Sequence, residues 1–385
     1  MQILKLLLKN SFRHKLRTSL TVFGITIAIL AFGLLRTVVG AWYAGVEASS
    51  ASRLVTRNSI SIIFFLPLSY KEKIRQIPGV KDVSYATWFG GVYISEKNFI
   101  PNFAVDAKTV FDLWPEFVLS EDQKNAFLRD RKSCVAGRKI AQKYGWKIGD
   151  TITLKGTIFP GNWDFVLKGI YKGKYKSSDE TQLFFHWDYL NESLKKTSPN
   201  RAGHVGWFTV NVTNPDLASD VAAAIDKTFK NSLAETITET ERAFQQGFVS
   251  MTEAIVIAVR IVSFVVIIII MAVMANTMAM TARERIGEYA IMKTLGFGGW
   301  HIAGLIFGES LIIAFTGCAF GIAATYPAAN AFGDAMSTYF PVFNVQRETI
   351  YMDIAASLAV GLVAAVFPAW RAVNVKIADG LRRIG

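Results

Sequence analysis

The sequence predicts an α-helical membrane protein with four transmembrane helices and a large α+β extracytoplasmic domain between helices 1 and 2. Three observations support this fold class. Four apolar segments are long enough to cross a bilayer, and about 200 residues of mixed composition separate the first two. Basic residues are concentrated before the first segment, between the second and third segments and after the fourth, and these three regions would lie on the same side of the membrane.

Each apolar segment has the length of a membrane span and carries a single charged residue. A helix needs about 20 apolar residues to cross the hydrocarbon core, and a buried helix of a soluble protein is rarely so long. The chain is 51% hydrophobic, with a mean hydropathy of +0.30. The first apolar stretch, about 24 residues, exceeds the apolar core of a secretory signal and is predicted to be retained. The segments are 20–43, 254–282, 302–326 and 350–370, with the charged residues Arg36, Arg260, Glu309 and Asp353.

Charge asymmetry gives the topology its predicted direction. The N-terminal flank, the loop at 283–301 and the C-terminal flank together hold 12 basic and 3 acidic residues, whereas the rest of the chain is nearly balanced. Because short cytoplasmic flanks are enriched in Lys and Arg, both termini and this loop are predicted to be cytoplasmic. The net charge of +12 therefore indicates topology and contact with anionic membrane lipids, and no nucleic-acid partner is expected.

Turn residues and alternating apolar positions predict how the rest of the chain is organised. Inside the outer domain, helices are predicted over 134–144 and over 235–252, the second feeding helix 2 without a break. The predicted segments are 1–17, a cytoplasmic amphipathic helix; 18–43, transmembrane helix 1; 44–252, the extracytoplasmic domain with two sub-modules; 253–282, transmembrane helix 2; 283–301, a cytoplasmic coupling loop; 302–326, transmembrane helix 3; 327–349, a short outer loop; 350–370, transmembrane helix 4; and 371–385, a cytoplasmic tail.

Residue types that catalyse reactions or bind metals are few and scattered. Cys134 and Cys318 fall in the outer region and in an apolar segment, so neither a disulfide between them nor a Cys-based metal site is expected. The four histidines are also dispersed. The nearest approach to a GxxxxGK[ST] phosphate loop, GKYKS at 173–177, lacks the second glycine. The sequence therefore predicts no catalytic residue, no metal site and no cofactor in this chain.

The most specific residues of the sequence lie between the second and third spans. The segment 281–302, TARERIGEYAIMKTLGFGGWHI, resembles the cytoplasmic loop of the MacB/LolC/FtsX family of ABC-transporter permeases. The run KNSFRHKLRTSLTVFGITIA at 9–28 is similar to that family's entry into span one. FPAWRA at 367–372, followed by Gly380-Leu381-Arg382, is similar to its C-terminal end. The tail departs from the family pattern at Lys376-Ile377, where a proline often stands.

The resemblance implies a coupling helix that sits in a groove of a cytoplasmic ATPase. From the residues alone, the same loop also reads as an amphipathic connector with solvated charges. The positions that the resemblance assigns to ATPase coupling are Arg283, Glu284, Arg285, Glu288, Lys293 and Gly296.

The partners also follow from the resemblance. It implies a permease in the bacterial inner membrane that pairs with a second permease, as a homodimer, and with a separate ATPase that binds ATP and Mg. A periplasmic adaptor would be a further partner. The chain itself would not be an enzyme: it would transmit ATPase motion to the periplasmic domain for export or extraction of a substrate. The alternatives are a LolC/LolE-like lipoprotein-releasing permease and a non-transporting, FtsX-like signalling or scaffold subunit.

Charged residues inside the spans support further hypotheses. Arg36 and Arg260 are predicted at similar depth in the outer leaflet, where they would bind anionic headgroups of lipids or lipoproteins or would snorkel to the interface. Glu309 would relay protons or, alternatively, pair within the bundle. Glycines at four-residue spacing in span three, at 304 and 308 and at 317 and 321, would permit close helix packing.

Overall fold

The computed structural model describes residue 7 and residues 10–96, 98, 100–336 and 340–376. Parts of the helix predicted for 1–17 and of the tail predicted for 371–385 lie outside these residues, as does the motif at 380–382. The α-helices are α1 (Lys15–Ala48), α2 (Tyr70–Arg75), α3 (Val110–Leu113), α4 (Glu121–Arg129), α5 (Arg138–Tyr144), α6 (Trp187–Thr197), α7 (Ala218–Thr228), α8 (Glu241–Met251), α9 (Glu253–Glu284), α10 (Ile286–Thr294), α11 (Gly299–Ala335) and α12 (Arg347–Val373).

Within the described residues, four helices are long and apolar enough to cross a membrane: α1, α9, α11 and α12. Each contains one of the apolar segments found in the sequence. Helix α11 extends beyond its predicted end at 326 and includes Pro327, so part of the loop predicted for 327–349 is helical. The residues after this proline include several alanines, which favour helix and let it continue.

Small residues bring two of the long helices close together. Gly317 and Gly321 of α11 lie against Ile25 and Ile29 of α1, where an added Cβ at either glycine would stand 2.7 Å from an isoleucine side chain. The same isoleucines belong to a buried apolar cluster with residues of α9 and α12. The glycines therefore permit a close contact between α1 and α11, as the spacing in the sequence predicts.

The residues between α1 and α9 form a mixed β-sheet flanked by helices. Its order is β13-β1-β12-β3-β5-β10-β7-β9-β8-β4, with β6 paired to β9, and β11 pairs separately with β2. The pairs β5–β10 and β7–β9 are parallel, and the other pairs are antiparallel. The strands are β1 (Arg53–Asn58), β2 (Leu66–Pro67), β3 (Val80–Trp88), β4 (Gly91–Tyr93), β5 (Asn102–Val105), β6 (Phe117–Val118), β7 (Ser133–Gly137), β8 (Thr151–Gly156), β9 (Gly161–Gly173), β10 (Leu183–His186), β11 (His204–Val205), β12 (Trp207–Val212) and β13 (Thr236–Thr240).

The helix predicted over 134–144 is wrong in its first part. Residues Ser133–Gly137 form the central strand β7, all of it buried, and only Arg138–Tyr144 are helical. Gly137 explains part of the difference, because a Cβ there would lie 2.1 Å from the carbonyl oxygen of Glu180. The close backbone approach requires glycine and belongs to the sheet interior.

The helix predicted over 235–252 is also wrong in its first part. Residues Thr236–Thr240 form the edge strand β13, which pairs antiparallel with β1, and helix begins only at Glu241. The hydroxyls of Thr236 and Thr238 donate to Asp226 Oδ1 at 2.9 Å and 2.8 Å. Alternating β-branched residues with buried polar partners favour a strand over the polar helix that charge alone suggested.

The chain divides into two compact units. One contains the long helices and comprises the chain through Ala41, Glu253–Ala335 and the residues from Phe343 onward. The other contains the mixed sheet and comprises Trp42–Thr252 together with Met336–Val342. Strands from both predicted sub-modules lie in the one continuous sheet of the second unit.

Candidate functional site

The connection between α9 and α11 is a short helix bounded by two breaks in helical geometry. Arg285 adopts φ −101° and ψ 12° between α9 and α10. At the other end, Gly296 has φ +89°, a left-handed conformation that glycine adopts without strain. The Gly296 N–H donates to the Lys293 carbonyl oxygen at 3.1 Å. These two residues set off α10 as a separate element within the predicted coupling loop.

A buried ion pair fastens the start of α10 to α11. Arg285 Nη1 donates to both carboxylate oxygens of Glu309, at 2.6 Å and 2.9 Å, and the two side chains are only 9% and 3% exposed. Arg285 Nε also donates to Glu288 Oε2 at 2.8 Å. Burial lowers the pKa of the Arg285 guanidinium, but Tyr289 and the two carboxylates outweigh it, so the net shift of its pKa is upward. Glu309 therefore pairs within the bundle, as one of the two sequence hypotheses predicted.

Glu284 and Glu288 also bind basic residues at and just before the start of α1. Arg17 Nη1 and Nη2 donate to the two oxygens of Glu284, each at 2.7 Å. Arg13 donates to Glu288. Burial raises the pKa of the Glu288 carboxyl, but hydrogen bonds from Arg285 and Arg13 outweigh it and lower the net pKa. The ion pairs therefore connect the ends of α1 and α9 and the beginning of α10.

Lys293 connects the other end of α10 to α12. Its Nζ donates to the carbonyl oxygens of Val373 and Val375, at 2.6 Å and 2.7 Å. A lysine there satisfies carbonyl groups that the end of a helix leaves without partners. Glu284, Arg285, Glu288 and Lys293 are thus engaged inside the chain, whereas Arg283 is exposed.

Large apolar side chains occupy the exposed part of this connection instead. Ile291, Leu295, Phe297 and Trp300 are 45%, 72%, 44% and 90% exposed, and we call these four residues the apolar tip. The sequence reasoning concentrated on charged positions and missed them. The signal in the sequence is a run of large apolar residues in a short connection between two spans, where a solvated loop would be polar.

Arg36 and Arg260 lie close enough for their positive charges to repel each other. Arg260 is exposed, and Arg36 is partly buried. Among the described residues, Arg36 Nε is buried and has no hydrogen-bond partner. The structure therefore places the two arginines, which the sequence put at similar depth, within range of each other's charge, and leaves the buried Nε of Arg36 without a partner among the described residues.

The described part of the chain contains no group of three or more His, Cys, Asp or Glu side chains arranged to hold a metal ion. Cys134 lies in β7 and Cys318 in α11, both as free thiols.

Two family models match most of the chain. The model described as MacB-like periplasmic core domain matches residues 18–228, more than half of the chain, and the model described as FtsX-like permease C-terminal matches residues 260–375. The chain belongs to the MacB/FtsX family of ABC-transporter permeases. This confirms the predicted fold class, since the permease has four candidate membrane helices and a periplasmic domain between the first and second. Permeases of this family are subunits that are not themselves ATPases, and membership implies an ATPase partner.

The permease is also similar to individual proteins. It is 23% identical, over 97% of this chain and 96% of the relative, to an uncharacterized ABC transporter permease of Methanocaldococcus jannaschii. Among solved structures, the periplasmic region of MacB from Actinobacillus actinomycetemcomitans is 11% identical and covers 53% of this chain and 95% of its own, with a TM-score of 0.38. The extracellular domain of the noncanonic ABC-type transporter YknZ from Gram-positive bacteria is 12% identical and covers 49% of this chain and 100% of its own, with a TM-score of 0.36.

Proposed function

We propose that this permease transmits the motion of a separate cytoplasmic ATPase through the membrane to its periplasmic domain, for export or extraction of a substrate. The observation that carries the proposal is the attachment of α10. This short helix is fastened at both ends to the long helices, while the apolar tip beside it is exposed. A force on the tip would therefore reach the spans without first being absorbed by a flexible connection.

The contacts that support this proposal differ in strength. The Arg285–Glu309 pair is buried, so its charges are screened little by water or salt. The Arg17–Glu284 and Arg13–Glu288 pairs are more exposed and contribute less to stability, but they keep the N-terminal segment beside α10. The charged residues of the loop thus hold α10 in place, and the apolar tip contacts the ATPase.

The remaining parts of the assembly follow from this arrangement. The basic flanks favour cytoplasmic termini and a cytoplasmic α10, with the permease in a bacterial inner membrane. ATP and Mg bind to the partner ATPase. A second copy of the chain completes a homodimer, so that two periplasmic domains move together, with or without an adaptor.

Substitution in the apolar tip tests the ATPase contact. We expect Leu295→Asp to abolish co-purification of the ATPase with the full-length permease from native membranes, because a carboxylate would have to be buried in the interface. Leu233→Asp is the matched control, since Leu233 is a leucine of the periplasmic domain that is even more exposed than Leu295. Absence of any ATPase from the wild-type sample, or an unchanged amount with Leu295→Asp, would refute the proposed coupling.

The two intramembrane arginines favour a lipoprotein-releasing permease as the second candidate function. Two neighbouring cations, one with an unpartnered Nε, suit the phosphate of a lipid or lipoprotein headgroup. Snorkelling to the interface remains the competing explanation for both side chains.

Anionic lipid provides the corresponding test. With the permease–ATPase complex in vesicles, we expect Arg36→Gln combined with Arg260→Gln to lose at least half of the ATPase stimulation produced by anionic phospholipid over neutral phospholipid. Arg242→Gln, at an exposed arginine of α8, is the control for loss of a positive charge outside the spans. Equal stimulation in the double variant and the wild type would leave snorkelling as the role of both arginines.

A further inference from the structure

A second buried acid lies where α1, α11 and α12 meet. Asp353 of α12 is 1% exposed, and neither of its carboxyl oxygens has a hydrogen-bond partner among the described residues. Its Oδ2 lies 3.2 Å from the point where a Cβ on Gly33 of α1 would stand, and Thr325 Oγ1 of α11 lies 3.2 Å from the same point. Three long helices therefore enclose this carboxyl group.

The surroundings of Asp353 are polar but uncharged. Ser357, one turn further along α12, is fully buried, and its Oγ also has no partner in the described chain. Cys318 Sγ of α11 donates to the backbone carbonyl oxygen of Asp353 at 3.7 Å. Thr325 Oγ1 donates to the Gly321 carbonyl oxygen at 2.8 Å, which leaves its lone pairs available. The site thus offers a carboxyl group and hydroxyl groups in a place that water reaches poorly.

No Lys, Arg or His of the described residues forms an ion pair with Asp353, which distinguishes it from Glu309. The positive charges of Arg36 and Arg260 lie within range of each other. Along the four long helices, the titratable and charged groups at neighbouring positions are Arg36 on α1, Arg260 on α9, Cys318 and Tyr326 on α11, and Arg347, Glu348 and Tyr351 on α12.

We propose that Asp353 is an intramembrane proton-binding site, held as the neutral carboxylic acid while α1, α11 and α12 are packed together. An ionised carboxylate without a cation is far more costly in such a place than the neutral acid. A bound metal cation fits less well, because hard cations take about six to eight oxygen ligands and the side chains here provide fewer.

The site has a consequence beyond the proposed coupling to an ATPase. Asp353 stays neutral only while water is excluded, so a movement of α1 away from α12 that admits water would release the proton. The chain would then exchange one proton with solvent each time this contact opens and closes. Proton binding at Asp353 depends on the packing of three helices and not on which partner or substrate the permease has.

Infrared spectroscopy of the full-length chain in lipid nanodiscs tests the protonation state directly. At neutral pH we expect a carbonyl stretching band of a protonated carboxylic acid that is lost in Asp353→Asn. The double variant Arg285→Met with Glu309→Leu is the control: it removes the buried acid of α11 together with the arginine that pairs with it, and should leave the band in place. An absent acid band in the wild type, or a band that Asp353→Asn leaves unchanged, would overturn the proposal.

Thermal unfolding in the same nanodiscs separates a proton from a metal cation. We expect Asp353→Asn, a neutral isostere, to unfold within a few degrees of the wild type, whether the buffer contains sodium, potassium or a large organic cation. A sodium- or potassium-dependent stabilisation that the Asn variant loses would show a metal site and refute the proton site. If the Asn variant does not fold, Asp353→Glu decides the assignment, because it retains the acid and should shift the infrared band.

Discussion

The buried charged side chains of this permease differ in which partners they bind. In the periplasmic domain, the guanidinium of Arg53 is buried and donates to Glu116 and Glu241 and to the Leu113 carbonyl oxygen. Arg285 is satisfied in the same way by Glu309 and Glu288. A buried cation with several acceptors holds its neighbours in one arrangement, because any movement leaves a charge without compensation. Both arginines therefore position the elements around them.

The Arg285–Glu309 pair gives a prediction at this scale. Glu309→Gln removes the countercharge of a buried guanidinium, so we expect a loss of about 3 to 5 kcal/mol in the free energy of unfolding. Thermal unfolding of the purified full-length chain measures it. The double variant Arg285→Met with Glu309→Leu removes both charges and should recover most of the loss. A single variant as stable as the wild type would contradict the role assigned to this pair.

At the scale of elements, the helices of the bundle pack according to where small residues lie. Gly317 and Gly321 face the isoleucines of α1, whereas an added Cβ on Gly304 would meet no atom of another described element within 4 Å. Helix α11 thus contains two glycines whose missing side chains let α1 approach, and a third, Gly304, where no described neighbour requires a glycine. Four-residue spacing in the sequence identified both kinds and could not separate them, because it does not specify which face of α11 meets another helix.

A matched pair of substitutions on α11 tests this distinction. We expect Gly321→Leu to separate α1 from α11 and to lower the unfolding temperature of the full-length chain by several degrees, because even a Cβ would stand 2.7 Å from Ile29. Gly304→Leu adds the same side chain to the same helix and should leave the unfolding temperature nearly unchanged. Equal effects of the two substitutions would show that α1 does not pack here.

At the scale of the whole molecule, the chain divides into a unit that contains the mixed sheet and a unit that contains the long helices. We assign a different part of the proposed function to each unit. The sheet unit has its own aromatic core, in which the Phe89 ring contacts the rings of Phe159, Trp163 and Phe185. The helical unit has a separate apolar cluster. A domain with its own core keeps its shape when the elements that carry it move. This suits a periplasmic domain that is moved as a body.

Such a core predicts independent folding. We expect residues Trp42–Thr252, produced without the long helices, to be soluble and to unfold in one cooperative transition, followed by circular dichroism. Phe89→Ala, which removes a buried ring from this core, should lower the free energy of unfolding of the domain by about 3 to 5 kcal/mol. An isolated domain without a cooperative transition would show that it depends on the spans or on 336–342.

The sequence by itself determined the spans, the insertion of one large domain between the first two, and the family, because apolar length and short motifs are local properties of a chain. It did not determine β13 or β7, where a strand forms because a neighbouring strand offers partners. The sequence also did not predict contacts between residues that lie far apart in the chain. Lys293 binds the carbonyl oxygen of Val373, 80 positions away, and Arg285 binds Glu309, 24 positions away.

The tertiary structure also shows which contacts the residues at the candidate site make. The sequence identified the charged positions of the 283–301 loop, and the structure engages most of them inside the chain and exposes the apolar tip instead. It likewise gives the single acids of spans three and four different surroundings: Glu309 has a buried arginine, and Asp353 has no charged partner among the described residues. Only the packing of helices decides which charge meets a countercharge, because burial and distance depend on neighbours that a linear pattern does not contain.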